Sequence, residues 1–254
     1  MKNEEKFTGK AEIYDKFRPG YPEELIDYLY SNVGFCETSV IADIGSGTGK
    51  FSRHLLERGS FVYCVEPNAD MRRIAEKDLS VFDRFTSVNA LADRTSLQEK
   101  SVDFITTAQA FHWFDKLSFN KECRRIVRDA GKAVIIWNTR DTEHEITKRE
   151  NSFRDKYCPD TTNVGLKDGG NFVRDWSEFY LNGICEHKTC RNDLILTRES
   201  YIGVNMSRSW SPDETKNPEK YHGLISELNK LFDEYNTDGL LKSPYFTQCY
   251  VGCV

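Results

Sequence analysis

Five short apolar runs between Ser39 and Trp137 alternate with stretches of helical periodicity, and that alternation restricts the chain to very few architectures. Ser39-Val40-Ile41-Ala42-Asp43-Ile44 ends in glycines, as a strand buried in a parallel sheet does. Behind it Phe51, Leu55 and Leu56 recur at helical spacing, and Gly59 follows where a C-cap glycine belongs. Phe61–Val65 predicts a second strand, stopped by Glu66-Pro67; Asn68 can then cap a helix carrying Met71, Ile74 and Ala75. Phe85–Val88, Val102–Thr107 and Ala133–Trp137 predict three more strands, with a helix over residues 116–128 before the last. Parallel neighbours require helical crossovers, so the predicted fold is α/β: a doubly wound, Rossmann-like sheet.

Beyond Asn138 the alternation stops. Residues 142–157, 197–208 and 218–236 predict helices, 159–183 a loop-rich stretch, and Tyr245–Val251 a terminal strand. The region 142–240 is expected to lie over the sheet edge without a core of its own. Its aromatics Phe172, Trp176, Phe179, Tyr180 and Trp210 suit either an apolar pocket or lid, or ordinary core.

A length of 254 residues suits one domain with an added lid. The expected divisions are a covering segment over 1–30, a ligand-binding core over 31–141, and a lid and final strands over 142–254. No window approaches 18 consecutive apolar residues, so no membrane-spanning helix is expected. The charged start, Met1-Lys2-Asn3-Glu4-Glu5-Lys6, lacks the apolar run of a signal peptide and predicts a cytoplasmic protein. A net charge of −5 argues against nucleic acid as partner, and Arg124, Arg125 and Arg128 read as a solvated helix face. Eight cysteines without a C-x-x-C pair predict reduced thiols and no zinc site.

The richest stretch is Asp43-Ile44-Gly45-Ser46-Gly47-Thr48-Gly49, between the first strand and its helix. Glycines there permit a tight turn and let a ligand approach the main chain, with helix-start amides facing it. A Walker A loop needs Ser or Thr after its lysine, but Phe51 follows Lys50. A G-x-G-x-x-G fingerprint counted from Gly45 would need glycine where Lys50 stands. The remaining pattern, D-x-G-x-G-x-G, resembles motif I of the class I S-adenosylmethionine-dependent methyltransferases.

Further residues carry the resemblance. Glu66 ends the second strand, where a carboxylate can accept hydrogen bonds from both ribose hydroxyls; NAD sites share that logic. Pro67-Asn68-Ala69-Asp70-Met71 resembles the run that walls the nucleoside, although Met71 equally suits the core. Asn89-Ala90-Leu91-Ala92 stands where relatives place the adenine pocket; Ala92 replaces a common acidic residue, and Asp93 follows one position late. Thr107-Ala108-Gln109-Ala110-Phe111-His112-Trp113-Phe114-Asp115 is similar to the A-x-A-F-H-W-F stretch of the methyltransferase type 11 group, UbiE-like and trans-aconitate methyltransferase-like. The run Tyr14 to Pro22 matches the same group, whose N-terminal segment folds over the cofactor.

The resemblance implies a seven-stranded sheet with a helical lid inserted near the C-terminal strands, and S-adenosyl-L-methionine as cofactor. It assigns cofactor contacts to Tyr14, Arg18, Asp43, Gly45, Ser46, Gly47, Thr48, Gly49, Glu66, Pro67, Asn68, Met71, Asn89, Ala90, Leu91 and Gln109. Arg18 offers either a fork to the methionine carboxylate or a surface salt bridge. Methyl transfer from a sulfonium is an in-line displacement, needing a base only when the acceptor loses a proton. His112 is the candidate base, with an orienting or packing role beside Trp113 as the alternative. Thr107-Ala108-Gln109-Ala110 replaces the Asn/Asp-Pro-Pro-Tyr/Phe motif of enzymes that methylate adenine or glutamine amides, which points to a small-molecule acceptor. The competing readings are an NAD(P)-dependent oxidoreductase and a non-catalytic S-adenosylmethionine-binding protein.

Overall fold

Alternate residues of each central strand face opposite ways, and both faces are apolar. Ile41 joins one buried cluster and Ala42 another; Val134 and Ile136 likewise oppose Ala133, Ile135 and Trp137. Two-sided burial of this kind requires helices on both faces of the sheet. The computed structural model describes residues 19–158, 176–208 and 210–254.

In chain order the strands are β1 (Val40–Ile44), β2 (Phe61–Val65), β3 (Phe85–Val88), β4 (Val102–Ala108), β5 (Val127–Arg140), β6 (Glu186–Arg191), β7 (Leu194–Thr197), β8 (Leu240–Ser243) and β9 (Tyr245–Gly252). The helices are α1 (Glu23–Tyr28), α2 (Lys50–Glu57), α3 (Ala69–Leu79), α4 (Lys116–Ile126), α5 (Glu145–Tyr157), α6 (Arg198–Met206) and α7 (Pro218–Tyr235). Seven strands form the main sheet in the order β3-β2-β1-β4-β5-β9-β6. Strands β1 to β5 are parallel, and β9 runs antiparallel between β5 and β6. That inserted strand departs from the 3-2-1-4-5-6 order of dinucleotide-binding sheets.

Local chemistry sets the helix starts. Asn68 accepts from the Met71 amide at 3.1 Å and Asp115 from the Ser118 amide at 2.9 Å, each satisfying an end donor of its helix. Under the second face, Phe111 meets Phe179 with ring centroids 4.9 Å apart, and Trp176 meets Tyr180 at 5.1 Å. Trp176, Phe179 and Tyr180 are therefore core residues, while Phe172 lies outside the described residues.

The region after β5 does have a core of its own, contrary to the sequence expectation. Leu224, Leu228, Leu231 and Phe232 of α7 bury against Ile146 and Phe153 of α5 and Tyr201 of α6, closed by the β7–β8 pair. Trp210 packs at the edge of this cluster. Strands β6, β7 and β8 were not expected from the sequence; β6 is a charged edge strand paired to β9.

None of the eight cysteines is in a disulfide. No helix among the described residues is long and apolar enough to cross a membrane. Arg125 pairs with Glu122 and Arg128 with Asp103, so these basic residues have local partners.

Candidate functional site

The strand order reverses between β1 and β4, where an open α/β sheet leaves a crevice beyond its carboxyl ends. A cavity of about 450 Å³ occupies that position. Its walls are the loops after β1 to β4, Asn138 near the end of β5, and Val204, Arg208 and Tyr245 from the last third of the chain.

The loop after β1 is built around three glycines that serve different purposes. All three have left-handed backbone, with φ of 70° at Gly45, 57° at Gly47 and 80° at Gly49. A Cβ on Gly45 would lie 2.6 Å from that of Ala110, so this glycine admits the β4 exit. A Cβ on Gly49 would meet Leu79 at 2.5 Å, so that glycine seats the loop on α3. A Cβ on Gly47 would meet nothing within 4 Å. Of the three, only Gly47 faces open space, and it lines the cavity.

Glu66, 9 % exposed, faces the same loop. Its Oε2 accepts from the Gly47 amide at 3.1 Å and its Oε1 from the Asn68 amide at 2.8 Å. Each carboxylate oxygen keeps acceptor capacity for a further donor. Burial raises the Glu66 pKa, opposed by the two amides and by Arg72. Arg72 donates to the Glu66 and Pro67 carbonyls at 2.9 and 2.8 Å and to Asn89 Oδ1 at 3.0 Å, tying the exits of β2 and β3 together.

Asp43 lies beneath the loop, 1 % exposed, accepting from Ser52 Oγ at 2.5 Å and Thr106 Oγ1 at 2.8 Å. Desolvation pushes its pKa up to about 6 despite both hydroxyls. At the β4 exit, Gln109 also adopts positive φ, 61°, and its Nε2 donates to the Asn138 carbonyl at 3.2 Å. Asn138 in turn donates to the Gly20 carbonyl at 2.9 Å, anchoring the chain beside Pro19 and Tyr21 of the cavity wall.

Of the residues predicted to bind cofactor, Asp43, Gly45, Ser46, Gly47, Thr48, Glu66, Pro67, Met71, Leu91 and Gln109 line the cavity. Gly49, Asn68, Asn89 and Ala90 stand behind the wall, where they pack the loop, cap α3, receive Arg72 and fill the core. Tyr14 and Arg18 lie outside the described residues. His112 does not line the cavity; its ring centroid lies 4.5 Å from that of Trp113, which does. Trp113 and Phe114, expected to line the site as part of the motif at the β4 exit, both line the cavity. Val204, Arg208 and Tyr245 carry no local sequence signal, because tertiary closure alone brings them to the cavity.

Comparison with known proteins agrees with this geometry. A family model described as a methyltransferase domain matches residues 42–135. An uncharacterised methyltransferase of Mycobacterium tuberculosis is 34 % identical over 135 residues, covering 53 % of each chain. The chain thus spans about half the length of the first curated relatives it matches. An uncharacterised methyltransferase-like protein of Schizosaccharomyces pombe is 28 % identical over 256 residues, covering 96 % of this chain and 94 % of the relative. Among solved structures, one from Anaeromyxobacter dehalogenans, assigned as a type II methyltransferase, aligns at TM-score 0.61 with 21 % identity, covering 93 % of this chain and 98 % of its own. A phosphoethanolamine N-methyltransferase of Haemonchus contortus, in complex with phosphomonomethylethanolamine and S-adenosylhomocysteine, aligns at 0.53 with 16 % identity, covering 96 % of this chain and 57 % of its own. Residues 42–135 are thus similar to a methyltransferase domain, and the chain shares its fold with solved methyltransferases.

Proposed function

We propose that this protein transfers a methyl group from S-adenosylmethionine to a small-molecule acceptor. The observation that carries the reading is the unit formed by Gly47 and Glu66. A glycine with open space over its α-carbon is bonded to a buried carboxylate that still has acceptor capacity. This arrangement fits a ribose diol held by Glu66, with the rest of the nucleoside against Pro67, Met71 and Leu91. Asp93 lines the same wall and suits the adenine amino group. A cavity of about 450 Å³ falls within the usual range for small-ligand sites. When bound, the sulfonium supplies an already activated methyl group.

The chain's own task is then to orient the acceptor and exclude water. Trp113, Phe114 and Phe119 give the cavity apolar walls suited to both. We read His112 as positioning Trp113, since it stands behind that ring. The chain is read as one methyltransferase domain. Residues 1–30 cover the donor, 31–141 bind it, and 142–254 complete the sheet and shape the acceptor site. Pro19 and Tyr21 on the wall support the first assignment, Val204 and Tyr245 the last. The antiparallel β9 counts against the NAD(P) alternative, whose sheets lack that strand.

Incubation with methyl-labelled S-adenosylmethionine and fractionated small-molecule extract tests the activity. Label should pass to a low-molecular-weight product, and should not do so with Glu66→Ala protein. Label appearing only on nucleic acid would refute the small-molecule acceptor. Failure to transfer label across extracts, with donor binding intact, would favour the non-catalytic reading.

A further inference from the structure

We infer that the methyl acceptor is an anion, and that Arg208 holds its carboxylate or phosphate group at the cavity wall. The inference rests on the methyl-transfer reading and identifies the substrate class of the same site.

Arg208 follows α6 and lines the cavity beside Val204 and Tyr245. Its side chain is nine-tenths buried, with 10 % exposure. Through Nη2 it donates to Glu150 Oε2 and to the Tyr245 hydroxyl, both at 3.3 Å. Glu150, 1 % exposed at its side chain, is also the partner of Arg140, whose Nη1 donates to the same oxygen at 2.9 Å. Two buried guanidinium groups therefore share one carboxylate. The Tyr201 phenol does not offset this, because burial and Glu150 keep its hydroxyl protonated. Asp141, next along the chain from Arg140, is paired with Arg191. The cluster carries a net positive charge in a desolvated place, which is costly unless a further anion arrives.

The orphaned atom is Nη1 of Arg208. It is buried and has no hydrogen-bond partner among the described residues. A buried donor of a charged group left unpaired carries the uncompensated cost of its desolvation. Glu150 and Tyr245 fix the guanidinium plane from one side, and Trp210 lies 5.7 Å from its centre. Nη2 is occupied by Glu150 and Tyr245, so the donor capacity that remains is Nη1, whose N–H groups suit an oxygen of a carboxylate or phosphate. Its place in the cavity favours the acceptor. The groups suited to the donor nucleoside come from the exits of β1 to β3, whereas Arg208, Val204 and Tyr245 come from the last third of the chain.

The test is calorimetric titration of the S-adenosylhomocysteine-loaded protein with benzoate, phenyl phosphate and benzamide, the last as the uncharged control. At least one anion should bind roughly tenfold or more tightly than benzamide, as a charge-assisted hydrogen bond predicts. Whichever anion binds tighter separates carboxylate from phosphate. Arg208→Gln should abolish the preference while leaving S-adenosylhomocysteine affinity unchanged, and Arg208→Lys should retain part of it. Equal binding of all three probes by the unaltered protein, or binding of none at millimolar concentration, would overturn the inference without any variant. So would a preference that survives in Arg208→Gln, or a loss of S-adenosylhomocysteine affinity in that variant. Failure of S-adenosylhomocysteine to bind the unaltered protein, seen before any probe is added, would instead defeat the methyl-transfer reading.

Discussion

The amide of Gly47 donates to Oε2 of Glu66 at 3.1 Å, so the loop ending β1 and the carboxylate ending β2 form one hydrogen-bonded unit. The bond orients a carboxylate that burial would otherwise disfavour in its charged form. It also fixes the loop in the left-handed conformation that leaves space over Gly47.

The three loop glycines should respond differently to alanine. Gly45→Ala brings a Cβ to 2.6 Å from Ala110 and should destabilise by about 1–3 kcal/mol through overpacking, in addition to backbone strain. Gly47→Ala has no protein clash and should cost only about 1–2 kcal/mol of left-handed strain. Its larger effect should fall on donor affinity. Urea denaturation beside calorimetry separates the two. Equal stability losses at Gly45 and Gly47 would contradict the division of roles.

Asp43 predicts a specific pH dependence. Its folded pKa, about 6, lies above the unfolded value of 3.8, so between these values the folded state holds a proton that the unfolded state has lost. Stability from this group therefore falls as pH rises through that window, by a total on the order of 3 kcal/mol. Asp43→Asn should remove the fall. Denaturant midpoints of both proteins from pH 4 to 7, compared by difference, give the measurement, and parallel profiles would contradict it.

Glu150 joins Arg140 and Arg208 in the buried part of the C-terminal region. Glu150→Ala strands two guanidinium groups and should cost about 3–5 kcal/mol. Thermal or urea unfolding reads this directly, and a loss below about 1 kcal/mol would show that solvent reaches the cluster.

His112→Ala should leave donor affinity unchanged, because the ring does not line the cavity. If His112 only supports Trp113, turnover should fall modestly and the pH–rate profile should keep its shape. Disappearance of a limb of that profile in the variant would make His112 a base.

Strands β1, β2 and β4 and the 133–137 part of β5 were legible because each is an apolar run, a pattern that two-sided burial imposes. The Gly47 and Glu66 pair was legible because both lie within a few residues of a strand end. Strand β6, Glu-His-Lys-Thr-Cys-Arg, was not. As an edge strand it pairs through its backbone and mostly exposes its side chains. The core of the C-terminal region was missed because its residues come from α5, α6, α7 and the β7–β8 pair, which are far apart in sequence. Arg208 and Tyr245 were invisible for the same reason: they reach the cavity through the packing of that core.

Calorimetric titration with S-adenosylhomocysteine and with NAD, on unaltered and Glu66→Gln protein, tests the central claim most directly. S-adenosylhomocysteine should bind and NAD should not. Glu66→Gln should weaken S-adenosylhomocysteine roughly ten- to a hundredfold, as expected for hydrogen bonds to a charged acceptor. Affinity in the unaltered protein should fall as pH drops through the raised Glu66 pKa, because the ionised carboxylate is the acceptor. Tight NAD binding with no response to S-adenosylhomocysteine, or a Glu66→Gln protein that binds it unchanged, would contradict the account.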